Sequence, residues 1–380
     1  MITNPFTFGS MINDPNKFVG RRAELELIIA RLNGHQPQGS SIVGPRRIGK
    51  SSLLHYLTHP REDESLRPHN TLCVVYLSAA AGNCSTPDKF RFAVSLLLIS
   101  KLLFMVKEGF YKYKNYNMDW FLYEIDLIEE KKMRIESYSW ASAREVLERL
   151  PFHPVICLDE FEALLLNDAF DDRFFNALRN WANEGLVSWV TASSKPLQEL
   201  LEHNNFTSPF FNLLATVRLR GLTDREADDL LRLADTTHHA FSEKEKRMVK
   251  RFAGTNPYHL QIVAWRLWEM KKAGQSVEEK ALRDYLCQQP YPPAACTRRS
   301  DVHQRYLLSL LLIMLLTAIL SWLVTGSNQL VSVWQKLGQF GEGFNGLVVV
   351  LTIFLVLIFS RAWTSIQGSD MVRDLWNRLL

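Results

Sequence analysis

Cysteine is scarce in this sequence: there are five in 380 residues, and no two of them have the two-residue spacing of a metal-binding knuckle. An odd, scattered set predicts reduced thiols in a cytosolic compartment rather than a disulfide framework. The N-terminus begins Met-Ile-Thr-Asn-Pro-Phe, which has neither a basic region nor an apolar core, so no secretory signal is expected. The net charge is +4, and charge alone therefore indicates no nucleic-acid partner.

Charge is also missing from a long stretch near the C-terminus, since no Asp, Glu, Lys or Arg occurs between Arg305 and Lys336. Residues 306–324 are almost wholly apolar, which is about the length that crosses a hydrocarbon core of roughly 30 Å. A second apolar run lies within residues 344–363. The two runs predict a membrane hairpin, and the alternative is a pair of buried core helices.

Basic residues predict the orientation of this hairpin. They flank its outer sides, at Arg298, Arg299, Arg305 and Arg361. The connecting residues 325–343 hold just one lysine and one glutamate. By the positive-inside rule the loop 325–343 is extracytoplasmic, and the N-terminus and the tail 364–380 stay in the cytoplasm. The predicted location is the cytoplasmic (inner) membrane, crossed twice.

Residues 44–51, Gly-Pro-Arg-Arg-Ile-Gly-Lys-Ser, fit G-x-x-x-x-G-K-[ST], a loop that wraps the phosphates of a nucleotide. Gly44 and Gly49 are expected to allow backbone angles that a side chain would forbid, so that N–H groups turn onto phosphate oxygens. An apolar strand before this phosphate loop and an amphipathic helix after it, from about Gly49, support the pattern. The predicted nucleotide-binding residues here are Gly44, Pro45, Arg46, Arg47, Ile48, Gly49, Lys50, Ser51 and Ser52.

The predicted chemistry rests on two further acids. Lys50 is expected to reach the β- and γ-phosphates, and the Ser51 hydroxyl to complete a Mg²⁺ shell. An apolar run ends in Asp159-Glu160, where a strand-end acid such as Asp159 holds the hydration shell of the Mg²⁺. Glu160 is the predicted general base, and with Lys50 and Asp159 it forms the predicted catalytic set. Glu162 is expected on the exposed side.

Short apolar runs alternate with helical patterns up to about residue 221, which predicts an α/β class fold: a three-layer domain with a mostly parallel sheet. The predicted divisions are an N-terminal segment 1–39, a nucleotide-binding core 40–221, a small helical lid domain 222–290, a linker 291–305 and the two transmembrane helices. Residues 107–150 are aromatic and charged, with lysines interleaved among the aromatic residues, which indicates either a base-stacking surface or an amphipathic helical insertion. Three successive capping boxes, beginning at Thr223, Ser242 and Ser276, mark helices of the lid.

Two sequence motifs add a family resemblance that spans about residues 4–275. Residues 18–24, Phe-Val-Gly-Arg-Arg-Ala-Glu, match h-h-G-R-x-x-E, a motif of the STAND branch of AAA+-like NTPases. Residues 254–261, Gly-Thr-Asn-Pro-Tyr-His-Leu-Gln, resemble the glycine–proline motif of their helical lid, although helix punctuation alone also explains them. The resemblance implies ATP as the nucleotide, with Val19, Gly20 and Arg21 on the adenine side and Pro257 pressing on the nucleotide from the lid.

The sequence departs from the family in two places. The Thr-Ser-Arg-like sensor after the fourth strand is replaced by a segment that ends in Lys195, a point charge instead of a planar fork. The winged-helix domain and repeat array of large members are missing, because apolar runs follow the lid. An arginine finger is not assigned among the candidates Arg173, Arg179, Arg218 and Arg220.

The function indicated is a membrane-anchored ATPase switch, slow or dependent on a trigger, with ATP and Mg²⁺ as cofactors. By resemblance, the expected partners are the nucleotide, the membrane, further copies of the chain in a nucleotide-dependent homo-oligomer, and an unidentified trigger. Family members act in signalling, including cell-death and anti-phage defence, which would make the hairpin an effector. Two alternatives remain open: a DNA-associated ATPase tethered to the membrane, and a membrane scaffold with little hydrolysis.

Overall fold

A computed structural model describes residues 3–60, 66, 68–69, 71–107, 138–204, 206–293 and 296. The predicted spans 306–324 and 344–363, the loop between them, the tail and most of the predicted insertion lie outside these residues. Among the residues that are described, no helix is long and apolar enough to cross a membrane.

Five parallel strands form the sheet: β1 (Ser40–Val43), β2 (Leu72–Ser78), β3 (His153–Asp159), β4 (Ser188–Ser193) and β5 (Ala215–Arg218). Their spatial order is β2-β3-β4-β1-β5. The strands β1, β3 and β4 are short and buried almost throughout, as strands covered on both faces must be. The sequence pattern did not reveal β5, a short edge strand in which just Val217 is buried.

Successive side chains of each strand alternate between two apolar layers. Val74, Cys157 and Val190 pack on one face with the helices α1 (Arg22–Leu32) and α2 (Lys50–Thr58). Their neighbours Val75 and Trp189 pack on the other face. The helices on that face are α3 (Pro87–Lys107), α4 (Trp140–Arg149), α5 (Glu162–Leu165), α6 (Asp172–Asn183) and α7 (Leu197–Asn204). The three-layer α/β prediction is therefore confirmed.

After β5 the described chain is helical, with α8 (Asp224–Leu231), α9 (Glu243–Ala253), α10 (Pro257–Lys272) and α11 (Glu279–Cys287). These helices share a separate apolar cluster around the fully buried Trp268. The capping boxes at Thr223 and Ser242 are confirmed. The third was wrong: α11 begins at Glu279 after a cap residue, Glu278, whose side chain makes no capping hydrogen bond.

The N-terminal segment joins this helical part to the helix that follows the phosphate loop. The Asn4 side-chain amide donates to the Trp265 carbonyl at 3.2 Å, and the Thr7 N–H donates to Gln261 Oε1 at 3.0 Å. A few residues later the Ile12 N–H donates to Ser52 Oγ on α2 at 3.0 Å. Residues 4–12 therefore form a strap between α10 and α2.

Three cysteines lie in the core of the α/β part. Cys73, Cys84 and Cys157 are buried free thiols, and burial raises the pKa of Cys84 to about 11 and that of Cys73 to about 12. Such buried thiols, with a raised pKa, are inert core residues.

Candidate functional site

The phosphate loop connects the C-terminal end of β1 to the N-terminal end of α2, as predicted. Gly49 has a φ of +99°, which favours glycine, and Arg47 adopts the same left-handed region at +64°. Gly44 is needed for a different reason than predicted, since its φ is not positive. A Cβ there would lie 3.0 Å from the Leu219 carbonyl oxygen and from Ile48 Cγ2. Close packing, not an unusual backbone angle, therefore explains Gly44.

Lys50 extends from the first turn of α2 back over this loop. Its Nζ donates to the carbonyl oxygens of Gly44 at 2.8 Å and Pro45 at 3.1 Å. Burial lowers the pKa of Lys50, and the nearby carboxylates of Glu162 and Asp159 oppose that shift. Because these acids act on the lysine through space, Lys50 lies within electrostatic range of the end of β3, although β4 separates β1 from β3.

Asp159 is the last residue of β3 and is 4% exposed. Its Oδ1 accepts the Glu160 N–H, and its Oδ2 accepts the Tyr76 hydroxyl of β2, each at 2.9 Å. Burial, and then the charge of Asp159, raises the pKa of Tyr76, so this phenol stays a protonated donor. The buried carboxylate thus has one neutral donor on each oxygen and keeps a free lone pair on both.

Glu160 follows in the left-handed region, with a φ of +52°, and its side chain is exposed. A backbone of this kind is costly for a residue with a side chain and is typical of functional turns. Its Oε2 accepts a hydrogen bond from Ser78 Oγ at 3.1 Å. The predicted general base is therefore exposed and is oriented by a hydroxyl of the neighbouring strand.

Glu162 was expected on the exposed side, and that prediction is wrong. The side chain is half-buried at the start of α5, where its Oε1 accepts the Ser194 N–H at 3.2 Å. Its Oε2 is buried and has no hydrogen-bond partner among the described residues. Of the carboxylates near Lys50, Glu162 has the largest effect on the lysine pKa. The sequence analysis missed that Glu162 is the first residue of a short helix that begins just after β3.

The predicted sensor position follows β4 and is occupied by Lys195. Lys195 is exposed and its Nζ pairs with Glu199 at 2.6 Å, one helical turn along. Ser193 Oγ donates to the Lys195 carbonyl at 2.7 Å. Lys195 is thus engaged along α7, which does not favour it as a substitute for the missing arginine.

The h-h-G-R-x-x-E segment is a junction between three parts of the fold. Gly20 has a φ of +80°, and the Glu226 side chain lies 3.1 Å from where its Cβ would be. Arg21 is 3% exposed and donates to the Ile48 carbonyl of the phosphate loop at 2.8 Å and to the Arg220 carbonyl after β5 at 2.7 Å. Val19 is half-buried against the helical part. The segment therefore adjoins the loop, while its guanidinium bonds to protein atoms.

The phosphate loop also contacts the helical part directly. The Arg47 guanidinium lies over the Tyr258 ring at 5.1 Å and over the Tyr291 ring at 5.8 Å. Pro257 is the first residue of α10, next to Tyr258, and the Tyr258 hydroxyl donates to the Pro290 carbonyl at 2.9 Å. The predicted residue Pro257 is thus one position from a residue in contact with the loop.

A cavity of about 460 Å³ lies at the opposite edge of the sheet, where β2 and β3 begin. Its lining includes Leu72, Phe152 and His153. His153 Nε2 is already within 2.9 Å of Ser188 Oγ, and burial lowers the histidine pKa. Lys50 and Asp159 lie at the other ends of the strands, so the cavity is remote from them. The candidate site is therefore at the carboxyl ends of the strands, beside the phosphate loop.

The residues at that edge fit a nucleotide-bound Mg²⁺. The described residues include no cluster of three or more His, Cys, Asp or Glu side chains that would cage a metal by itself. Mg²⁺ prefers oxygen ligands and usually keeps several waters, binding through one or two carboxylates and the phosphates of a substrate. The Ser51 hydroxyl and the buried Asp159 carboxylate supply that kind of donor.

Comparisons with known proteins agree with this geometry. Residues 151–281 match the family model of novel STAND NTPase 2, a range from just before β3 into α11. The Walker-type ATPase PABY2304 of Pyrococcus abyssi has 13% identity, a TM-score of 0.53 and coverage of 80% of each chain. The ORC2 protein of Aeropyrum pernix, in ADPNP–ADP complexes, has 13% identity, a TM-score of 0.50 and coverage of 76% of this chain and 72% of its own. No curated protein matches.

Because their sequence identity to this chain is only 13%, the two structures show a similar fold and nothing more. The family model adds a match in sequence. That match covers the strand with Asp159 and Glu160, and the motif around Pro257. Over residues 151–281 the chain is similar in sequence to novel STAND NTPase 2, and its fold is similar to that of a Walker-type ATPase. Both findings agree with the resemblance to STAND, AAA+-like P-loop ATPases that the sequence motifs indicate.

Proposed function

We propose that this chain binds and hydrolyses ATP as a membrane-anchored signalling switch. The observation that carries the proposal is the placement of Lys50 after β1 and of Asp159, Glu160 and Glu162 at and after the end of β3, at the carboxyl ends of parallel strands that β4 separates. The three carboxylates act on Lys50 from there, opposing the lowering of its pKa by burial. A phosphate-loop lysine opposite strand-end acids is the arrangement that phosphoryl transfer to water requires.

In the proposed reaction the first turn of α2 and Lys50 bind the β- and γ-phosphates. The γ-phosphorus is attacked by a water whose proton passes to the Glu160 carboxylate, and the bond to the β-phosphate oxygen breaks to release ADP and phosphate. Ser78 holds Glu160 in position for that proton. Mg²⁺, for which Ser51 and Asp159 would be the ligand residues, supplies positive charge against the charge of the phosphates.

The proposed switch rests on the contacts between the phosphate loop and the helical part. Arg47 touches Tyr258, and Arg21 connects Ile48 of the loop to the capping box of α8 through Glu226. Nucleotide phosphates bound to the loop would compete for the same arginines and N–H groups. Binding and release of the nucleotide would therefore change the preferred position of α8–α11, the proposed lid, which includes Pro257. Closure would promote self-association in response to a trigger.

Membrane anchoring is the part of the proposal that rests on sequence alone. It is supported by the uncharged run of residues 306–324 and the second run within 344–363, with basic residues outside both. We propose the cytoplasmic membrane as the location, with both termini in the cytoplasm. We further propose that the switch acts in defence or cell death, with the hairpin as the part that acts on the membrane.

The test measures phosphate release and mass, with and without ATP, for the full chain in nanodiscs. Lys50→Ala and Glu160→Gln are compared with Lys244→Ala and Glu148→Gln, matched substitutions at exposed positions away from the site. We expect the first pair to abolish turnover, the second pair to leave it unchanged, and Glu160→Gln to accumulate an ATP-bound oligomer. Equal behaviour of wild type and Lys50→Ala would overturn the proposal.

Two further measurements separate the remaining alternatives. Retention of the full chain in membranes after alkaline carbonate washing supports anchoring, and its loss removes the membrane from the proposal. DNA binding that weakens steeply with salt, in the same preparation, would favour a DNA-associated ATPase. Nucleotide binding without turnover in any condition would favour a scaffold.

A further inference from the structure

The strand β2 contributes a side chain to the site that no motif marks. In the parallel pair of β2 and β3, Tyr76 lies opposite Cys157, and Ser78 lies opposite Asp159. Tyr76 leans along its strand toward the end of β3, and its hydroxyl reaches Asp159 Oδ2 at 2.9 Å. The ring is half-buried, packs beside the apolar layer under α2, and meets the His55 ring edge to face at 6.5 Å. The ring is thus held by packing and its hydroxyl is aimed at the acid.

Asp159 needs such a donor because the carboxylate is 4% exposed and has lost nearly all of its water. Its other oxygen accepts the backbone N–H of Glu160, which is one residue away and moves with it. Tyr76 is therefore the donor from a separate element that fixes the plane of the carboxylate. A carboxylate fixed from two sides presents its remaining lone pairs in one direction.

We propose that Tyr76 is a positioning residue for Asp159 and that its hydroxyl sets the preference of the site for Mg²⁺–nucleotide over metal-free nucleotide. This inference rests on the proposed function, since it concerns the same nucleotide site. Tyr76 does not itself touch the nucleotide or the metal. It acts through Asp159, whose carboxylate must not rotate when the hydrated cation arrives with the phosphates.

The chain offers a matched control in Tyr56. This tyrosine lies on α2, is 2% exposed and stacks on Phe18 at 4.5 Å. Its hydroxyl has no hydrogen-bond partner among the described residues. Tyr76→Phe and Tyr56→Phe therefore remove the same atom from neighbouring elements, and just the first loses a bond to Asp159.

The experiment measures binding of a fluorescent ATP analogue to the full chain, once with Mg²⁺ and once with EDTA. We expect Tyr76→Phe to keep its affinity in EDTA and to lose about ten-fold in the affinity that Mg²⁺ adds, the lower end for removing an outer partner of a metal ligand. Tyr56→Phe should match wild type in both conditions. Excess Mg²⁺ should restore binding by Tyr76→Phe, a rescue that a folding defect would not show.

A double-mutant cycle with Asp159→Asn tests the route of the effect. In the Asp159→Asn background, Tyr76→Phe should have no further effect on the Mg²⁺ dependence, since the carboxylate that it orients is gone. If wild type gains affinity with Mg²⁺ and Tyr76→Phe gains equally, this inference is overturned while the proposed function stands. If wild type binds no nucleotide in either condition, the proposed function fails and this inference fails with it.

Discussion

Arg21 allows the sharpest test of how the fold is held around the site. Its guanidinium is 3% exposed and donates to two carbonyl oxygens, of Ile48 and Arg220, that belong to distant parts of the chain. We predict that Arg21→Lys lowers the free energy of unfolding by about 2 to 4 kcal/mol. An ammonium replaces the planar fork, loses one charge-assisted bond and leaves one buried carbonyl unpaired.

The neighbouring residue supplies the control. Arg22 pairs with Glu26 at 2.9 Å, and both side chains are largely exposed, at 71% and 51%. Arg22→Lys should change the free energy of unfolding by less than about 0.5 kcal/mol, as exposed pairs do. The assay is urea unfolding of the full chain in detergent, followed by tryptophan fluorescence. A loss below about 0.5 kcal/mol for Arg21→Lys, or equal losses for both variants, would refute the structural role of Arg21.

Three further predictions concern charge. His153 has a lowered pKa, so below about pH 6.5 the unfolded chain takes up its proton more readily than the folded one. The melting temperature should fall as pH drops from 6.5 to 5.5, and His153→Gln should flatten that slope; an unchanged slope contradicts the assignment. Glu162→Gln should lower the pKa of Lys50 further, seen as faster acylation of Lys50 at neutral pH, and an unchanged acylation–pH profile would count against it. Arg47→Ala removes the cation over the Tyr258 ring, worth about 0.5 to 1 kcal/mol, and should raise hydrogen exchange in residues 288–293; equal exchange would show that the contact does not hold them.

Local sequence was sufficient for much of the fold. The strands β1 to β4 were predicted because each is a short apolar run, and the helix starts at Lys50, Asp224 and Glu243 because each carries its signal within a few residues. The loop Gly44–Ser51 and the pair Asp159-Glu160 were recognised for the same reason: their chemistry is written in contiguous residues. The third capping box shows the limit, since Ser276 has the right pattern and α11 begins three residues later.

The tertiary structure alone decided what depends on contacts between distant segments. The sequence could not indicate that Glu162 acts electrostatically on Lys50, because the sheet order, with β1 and β3 on either side of β4, arises when distant segments pair. Gly44 is required because the carbonyl of Leu219, far along the chain, lies too close to leave room for a side chain. Tyr76 gained its role through the register of β2 with β3. Spacing along a chain encodes turns and periodic faces, whereas burial and the choice of a distant hydrogen-bond partner arise when the layers pack.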